Sequence, residues 1–273
     1  MRHLGGAAGA GGGVDVQDAH DADGTTGPVE GNARLSYPLD AGRVQCRTPV
    51  ARSAQPANPC GQPVIVILDY GLGNLRSVLN ACEALGADAR VSAEPQAVAD
   101  ARGLILPGVG AFGDGMAGLH ARGLAEPICR AAREAGKPLL GICLGMQLLA
   151  ARGTEHGSHD GLGLIGGSVE RLPAAAPDGT RLRLPHVGWN GVRFDRRAGL
   201  FAGLGDAADF YFVHGYALRP EDPGIVAGTC DYGAPFAAAV EADNVWAAQF
   251  HPEKSQKAGL AVLRNWLTRV AAW

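Results

Sequence analysis

Long apolar runs are missing from this chain. No stretch of its 273 residues approaches the roughly 20 apolar residues that a membrane-spanning helix needs, so no membrane partner is expected. A surplus of one charge is missing too. Lys and Arg number 24 against 27 Asp and Glu, a formal net charge of -3, which gives no electrostatic reason to expect nucleic acid. Aromatic residues make up 6%, too few to read as a base-stacking platform. The 6 cysteines never form a CxxC pair, which argues against a zinc ribbon. Their scattered spacing suits a reducing compartment better than a disulfide framework. The opening MRHLGGAAGAGGGVDVQDAHDADG lacks the continuous apolar core of a secretory signal and soon turns acidic, so the cytoplasm is the expected address. No metal or organic cofactor is suggested.

What is present divides near Pro63. Residues 1–62 are rich in Gly, Ala, Asp, Pro and Gln, with no apolar period. Such a segment cannot bury enough surface to offset its ordering entropy, and it reads as a disordered low-complexity extension. Residues 63–273 read as one folded domain, and the chain is 47% hydrophobic overall, enough for a core. VIVILDY (64–70) is a buried strand by its apolar, β-branched run. A helix follows in LRSVLNACEAL, then a strand in ARVSA, a strand in GLILPGVG (103–110) and a helix over 119–134. PLLGICLGMQLLA (138–150) reads as strand, sharp turn and helix. The alternation implies βαβ units and a parallel sheet. Strand-like pieces in LIGGSVERL, GVRF, DFYFVHGY and VWAAQFH fill the second half, as an antiparallel edge or a strand-rich extension of the same sheet. A helix closes the chain.

GICLG (141–145) has the form Gly-x-nucleophile-x-Gly. A tight strand-to-helix turn needs small flanking residues, and it would present Cys143 at its tip. The helix begun by Leu144 would aim free N–H groups at the sulfur, favouring a thiolate and binding an oxyanion. A buried, inert thiol is the ordinary alternative, and it is the reading kept for the other cysteines. A thiol needs a base. In QFHPE (249–253), Pro252 ends a strand just after His251, and Glu253 lies around the corner, where a carboxylate can orient the imidazole.

GICLGMQ together with QFHPE resembles the class I, or triad, glutamine amidotransferases over about residues 64–273. The resemblance implies a flavodoxin-like α/β fold with a largely parallel central sheet flanked by helices. It implies glutamine as substrate, Cys143 as nucleophile, His251 as acid/base and Glu253 as its partner. LPGVGAFGDG (106–115), with Gly108, Gly110 and Gly113, matches the loop that binds glutamine and completes the oxyanion hole. The amides implied are those of Val109 and Leu144, with Gly108 in the loop and Gln147 contacting the substrate. DYGLGNLRS (69–77) is a poor dinucleotide fingerprint, since Arg76 stands at the third glycine position. His156 and His159 lack further ligands and read as a solvated loop.

The triad supplies only ammonia. DYGLGNLRSV, PHVGWNGV (185–192) and FYFVHGY (210–216) resemble one branch of the family, the glutaminase subunits of imidazole glycerol phosphate synthases in histidine biosynthesis. That branch implies a heterodimer with a cyclase subunit, to which the ammonia passes. Pro185, His186, Trp189 and Asn190 would face the cyclase, and Tyr211 and Lys254 would help latch it. Read from the residues alone, Trp189 on a Gly-rich turn is either an interface anchor or a core residue. Gly215 departs from the branch, which often carries a hydroxyl there. The alternatives are a triad glutaminase serving another synthase, such as a sugar-amidating paralogue, a stand-alone cysteine hydrolase, or an inactive regulatory scaffold.

Overall fold

The computed structural model describes residues 65–273, so the expectation for residues 1–62 lies outside the described residues. The first half alternates as the apolar pattern dictates. Strand β1 (Ile65–Leu68) leads to helix α1 (Leu75–Ala84), β2 (Ala89–Ser92), α2 (Pro95–Asp100) and β3 (Gly103–Leu106). Asn74 starts α1 by accepting a hydrogen bond from the Ser77 amide, satisfying one donor of the first turn. Short α2 has no counterpart in the sequence reading.

The helix expected over 119–134 is two helices, α3 (Phe112–Ala121) and α4 (Ala125–Arg133), broken at Gly123 with φ 63°. Glycines at 113, 115 and 118 lower helix propensity and hide the start of α3. Packing overrides them: a Cβ on Gly118 would collide with the Tyr70 carbonyl oxygen. Next come β4 (Leu139–Ile142) and α5 (Leu144–Leu148).

The remaining elements are mostly strands. These are β5 (Ala150–Gly153), β6 (His159–Asp160), β7 (Ile165–Arg171), β8 (His186–Phe194), β9 (Ala207–His214), β10 (Tyr216–Pro220), β11 (Val226–Asp231), β12 (Pro235–Ala242) and β13 (Val245–Ala248). Helix α6 (Gln256–Ala272) follows. Nine strands form one sheet in the order β2-β1-β3-β4-β13-β12-β11-β8-β9. From β2 to β13 every pairing is parallel, and from β13 to β9 every pairing is antiparallel. From β8 onward the strands therefore extend the same sheet, apart from β10, while LIGGSVERL does not. Its β7 joins a second sheet, β10-β7-β5-β6.

Inside the parallel part β1, β3 and β4 are buried on both faces, which is why they read as continuous apolar runs. Ile65 and Ile67 point into one core with α1 and α6, while Val66 and Leu68 point into the other with α2, α3 and α4. The topology decides where chemistry can occur. β3, β4 and β13 are parallel neighbours, so their C-terminal ends lie side by side, where ligands of open α/β sheets bind.

Candidate active site

Each of those three strand ends delivers one part. Cys143 follows β4, with φ 53° and ψ -110°, a strained backbone for a residue with a side chain. Its amide donates to the Ala248 carbonyl at the end of β13 at 2.8 Å, which locks the turn to the neighbouring strand. Gly145 is forced by close approach: a Cβ there would collide with the Leu106 carbonyl oxygen at the end of β3. Helix α5 is only five residues long, so its contribution is a local set of N–H groups rather than the longer helix expected.

His251 lies just beyond β13, and the 3-10 turn Pro252–Lys254 brings Glu253 around the corner. His251 Nδ1 is 2.8 Å from Glu253 Oε1, with the two side chains 3% and 1% exposed. That contact leaves Nε2 as the free ring nitrogen, buried and without a hydrogen-bond partner among the described residues. Burial is the largest influence on His251 and pushes its pKa down. The Cys143 sulfur and the Glu253 carboxylate together outweigh it and hold the imidazole up at about 9. The ring therefore keeps, at neutral pH, a proton taken from the thiol beside it.

A small cavity of about 100 Å³ opens over Cys143, lined by Val109, Gly110, Leu144, Gln147, Glu155 and residues 213–216. Gly108 has no room for a side chain, since a Cβ would overlap the Tyr70 hydroxyl, itself bonded to the Pro107 carbonyl. Gly110 has φ 104° and bends the loop over the cavity. Gln147 spends its amide nitrogen inward, on the Tyr216 carbonyl at 2.8 Å and on Gln249 Oε1 at 3.0 Å. Glu155, which the sequence reading passed over, lines the cavity and accepts from the Phe112 amide at 2.9 Å. It sits in a polar stretch with no motif, and only the fold brings it opposite the thiol.

The DYGLGN loop is occupied with itself. Asp69 accepts from the Gly71 amide and pairs with Arg122 at 3.0 Å. His159 packs on Gly113 and beside the Phe112 ring. Among the described residues no group of three or more His, Cys, Asp or Glu is placed to hold a metal. No helix of the described residues is long and apolar enough to cross a membrane.

The interface candidates separate by strand alternation. Trp189 lies within β8, not on a turn, and is 49% exposed. It stands opposite Tyr211 of β9, with ring centroids 6.0 Å apart, and Val187 stands opposite Val213 on the same outer face. Lys254 Nζ sits 5.9 Å from the Tyr211 ring centre, and Pro185 is exposed. His186 and Asn190 alternate to the other face. His186 is buried, stacked on Phe212 and Tyr232, so its side chain is not on the surface as expected. Asn190 Nδ2 donates to the Asp231 carbonyl at 2.9 Å. His186 Nδ1 meets His214 Nε2 at 3.1 Å, and burial, the largest influence, takes His214 down to about 4, so that ring is neutral.

The outer face also touches the site through the β9 backbone. The His251 amide donates to the Tyr211 carbonyl at 2.9 Å. The Tyr211 amide donates to Ser255 Oγ at 3.0 Å, and that hydroxyl donates to the His251 carbonyl at 2.6 Å. The Cys143 sulfur lies 3.7 Å from the Val213 carbonyl.

The imidazole glycerol phosphate synthase subunit HisH of Syntrophotalea carbinolica is 52% identical over 203 residues, covering 74% of this chain and 98% of the relative. The subunit of the same name from Geobacter sulfurreducens is 49% identical over 202 residues, covering 74% of this chain and 96% of the relative. In fold, the chain matches a chain of the PurLQS structure from Thermotoga maritima with a TM-score of 0.60 at 21% identity, covering 76% of this chain and 99% of that chain. A family model described as "Glutamine amidotransferase class-I" matches residues 66–270. With that match over most of its length, the chain belongs to the class-I glutamine amidotransferase family.

Proposed function

We propose that this chain is the glutamine-hydrolysing subunit of an imidazole glycerol phosphate synthase, working with a cyclase subunit in histidine biosynthesis, and that residues 63–273 form its amidotransferase domain. The observation that carries the chemistry is the meeting of the Cys143 elbow, at the end of β4, with the buried His251–Glu253 pair at the end of its parallel neighbour β13. Relatives about 50% identical, carrying that synthase subunit's name, support the particular synthase.

Glutamine enters the cavity with its side-chain amide over Cys143. The thiol proton goes to His251 Nε2, and the sulfur adds to the amide carbon. The Val109 and Leu144 amides take the developing oxyanion, with Gly108 giving the loop its close approach. Gln147 Oε1 is left to accept from the substrate, and the Glu155 carboxylate suits its ammonium group. His251 passes its proton to the leaving nitrogen, and ammonia departs as the γ-glutamyl thioester forms. Water then loses a proton to His251 and adds to the thioester carbon. The C–S bond breaks with its electron pair going to sulfur, and glutamate is released. Ammonia in bulk water near neutral pH would be protonated and lose its nucleophilicity, so it must pass directly to the cyclase. The patch of exposed Val187, Trp189 and Val213 with half-buried Tyr211 is the proposed docking face, and it favours this reading over a stand-alone hydrolase.

The test is glutamate release by the purified chain alone, with the cyclase, and with the cyclase carrying its own ligand. Strong stimulation in the last case, lost in Cys143→Ala, is the expected result. Full activity without any partner would point to a free-standing hydrolase.

A further inference from the structure

Gln249 opens the QFHPE motif, yet the triad chemistry does not use it. Its side chain is fully buried at the end of β13, and its backbone amide is fixed on the Ala238 carbonyl at 2.8 Å. Its Nε2 is 3.8 Å from the Cys143 sulfur, and its Oε1 is 3.0 Å from Gln147 Nε2.

The orientation of this amide follows from a one-way contact. The Tyr216 carbonyl can only accept, so the Gln147 atom 2.8 Å away must be the NH₂ end. That NH₂ end also meets Gln249, so Gln249 presents oxygen there and nitrogen to the sulfur. His214 Nδ1 donates to the same Tyr216 carbonyl at 2.8 Å, which fills its second lone pair. Both glutamine amides are thus set by one backbone oxygen.

The sulfur therefore lies between two groups with opposite demands. The Val213 carbonyl, 3.7 Å away, suits a thiol that still has a proton to donate. The Gln249 N–H suits a sulfur that has lost it. We propose that Gln249 is a further catalytic residue. Its buried amide donates to the Cys143 sulfur whenever that atom carries negative charge, before attack on glutamine and again when the thioester C–S bond breaks. The proposal deepens the glutaminase reading and rests on Cys143 being the nucleophile.

The test follows the thiol itself in the full-length chain. Iodoacetamide alkylation of Cys143 is measured at pH 7 and at pH 10 for the wild type, Gln249→Leu and Gln249→Glu, with mass spectrometry to locate the label. Leu removes the donor; Glu keeps the acceptor for Gln147 and sets an oxygen against the sulfur. Expected is an alkylation rate at pH 7 about ten-fold lower in Gln249→Leu, and lower still in Gln249→Glu, with pH 10 rates within about two-fold of wild type. PH 7 rates equal to wild type in either folded variant would overturn the proposal. So would equal losses at both pH values, which mark a merely structural role. A wild-type measurement guards against misfolding: the Gln249 side-chain ¹⁵N resonance should move as the thiol ionises and stay fixed in Cys143→Ser. A resonance indifferent to ionisation would also overturn it. Wild-type glutamate release in the cyclase complex is read separately, so failure of the glutaminase reading and failure of this one give different results.

Discussion

Cys143 is held at φ 53° by a turn whose other contacts over-determine it, and the chemistry it faces is a matter of single atoms. His251 depends on Glu253 through one 2.8 Å contact. Glu253→Gln keeps the shape and removes the charge, and kcat for glutamine hydrolysis should fall on the order of 10²- to 10⁴-fold. The same variant carries a pH signature. His251 is held at about 9 against an ordinary 6.5, so its pairing stabilises the fold fully below about 6.5, and that stability drains away as pH rises through 9. Urea unfolding of Glu253→Gln against wild type should show a stability deficit at pH 6 that closes by pH 10. A gap that does not change with pH would contradict this account. At this scale much was legible in advance. Cys143, His251 and Glu253 stand in short motifs whose spacing is local. Glu155 was not legible, because its place over the thiol comes from a hydrogen bond to Phe112 far away in sequence.

Among the elements, β8 and β9 do two things at once. Their inner residues Phe210, Phe212 and His186 are buried, and their outer residues form the apolar patch. Trp189→Ala should weaken binding to the cyclase by about 2 kcal/mol or more, as calorimetric titration would show, while shifting the melting temperature little, since the ring is half exposed. Lys137 is the opposite kind of residue. Buried after α4, it donates to the Val98 and Ala99 carbonyls at 2.7 and 2.8 Å and so ties down α2. Lys137→Met should cost about 1–3 kcal/mol in chemical denaturation by orphaning those carbonyls, and catalysis should persist at temperatures where the variant stays folded. Alternation made β1, β3 and β4 readable. PHVGWNGV was misread as a turn because Gly188 and Gly191 look like punctuation, whereas in β8 they lie on either side of an outward Trp189. The sheet to which β7 belongs could not be read, since pairing partners leave no mark in a single strand.

The molecule as a whole is threaded so that its last strand goes into the middle. β13 lies between β4 and β12, so the parallel and antiparallel halves of the large sheet are joined only when residues 245–248 insert. A version ending at residue 244 should bind no cyclase and release no glutamate, and circular dichroism should show loss of cooperative melting. Restoring activity by adding a peptide of residues 245–273 would be the informative positive. The order also sets a clock during synthesis. A ribosome makes Cys143 well before His251, the base that activates it, which emerges only after every strand of the sheet. Translation itself thus keeps the nucleophile unarmed, and an abandoned nascent chain carries a thiol but no means of spending the cell's glutamine.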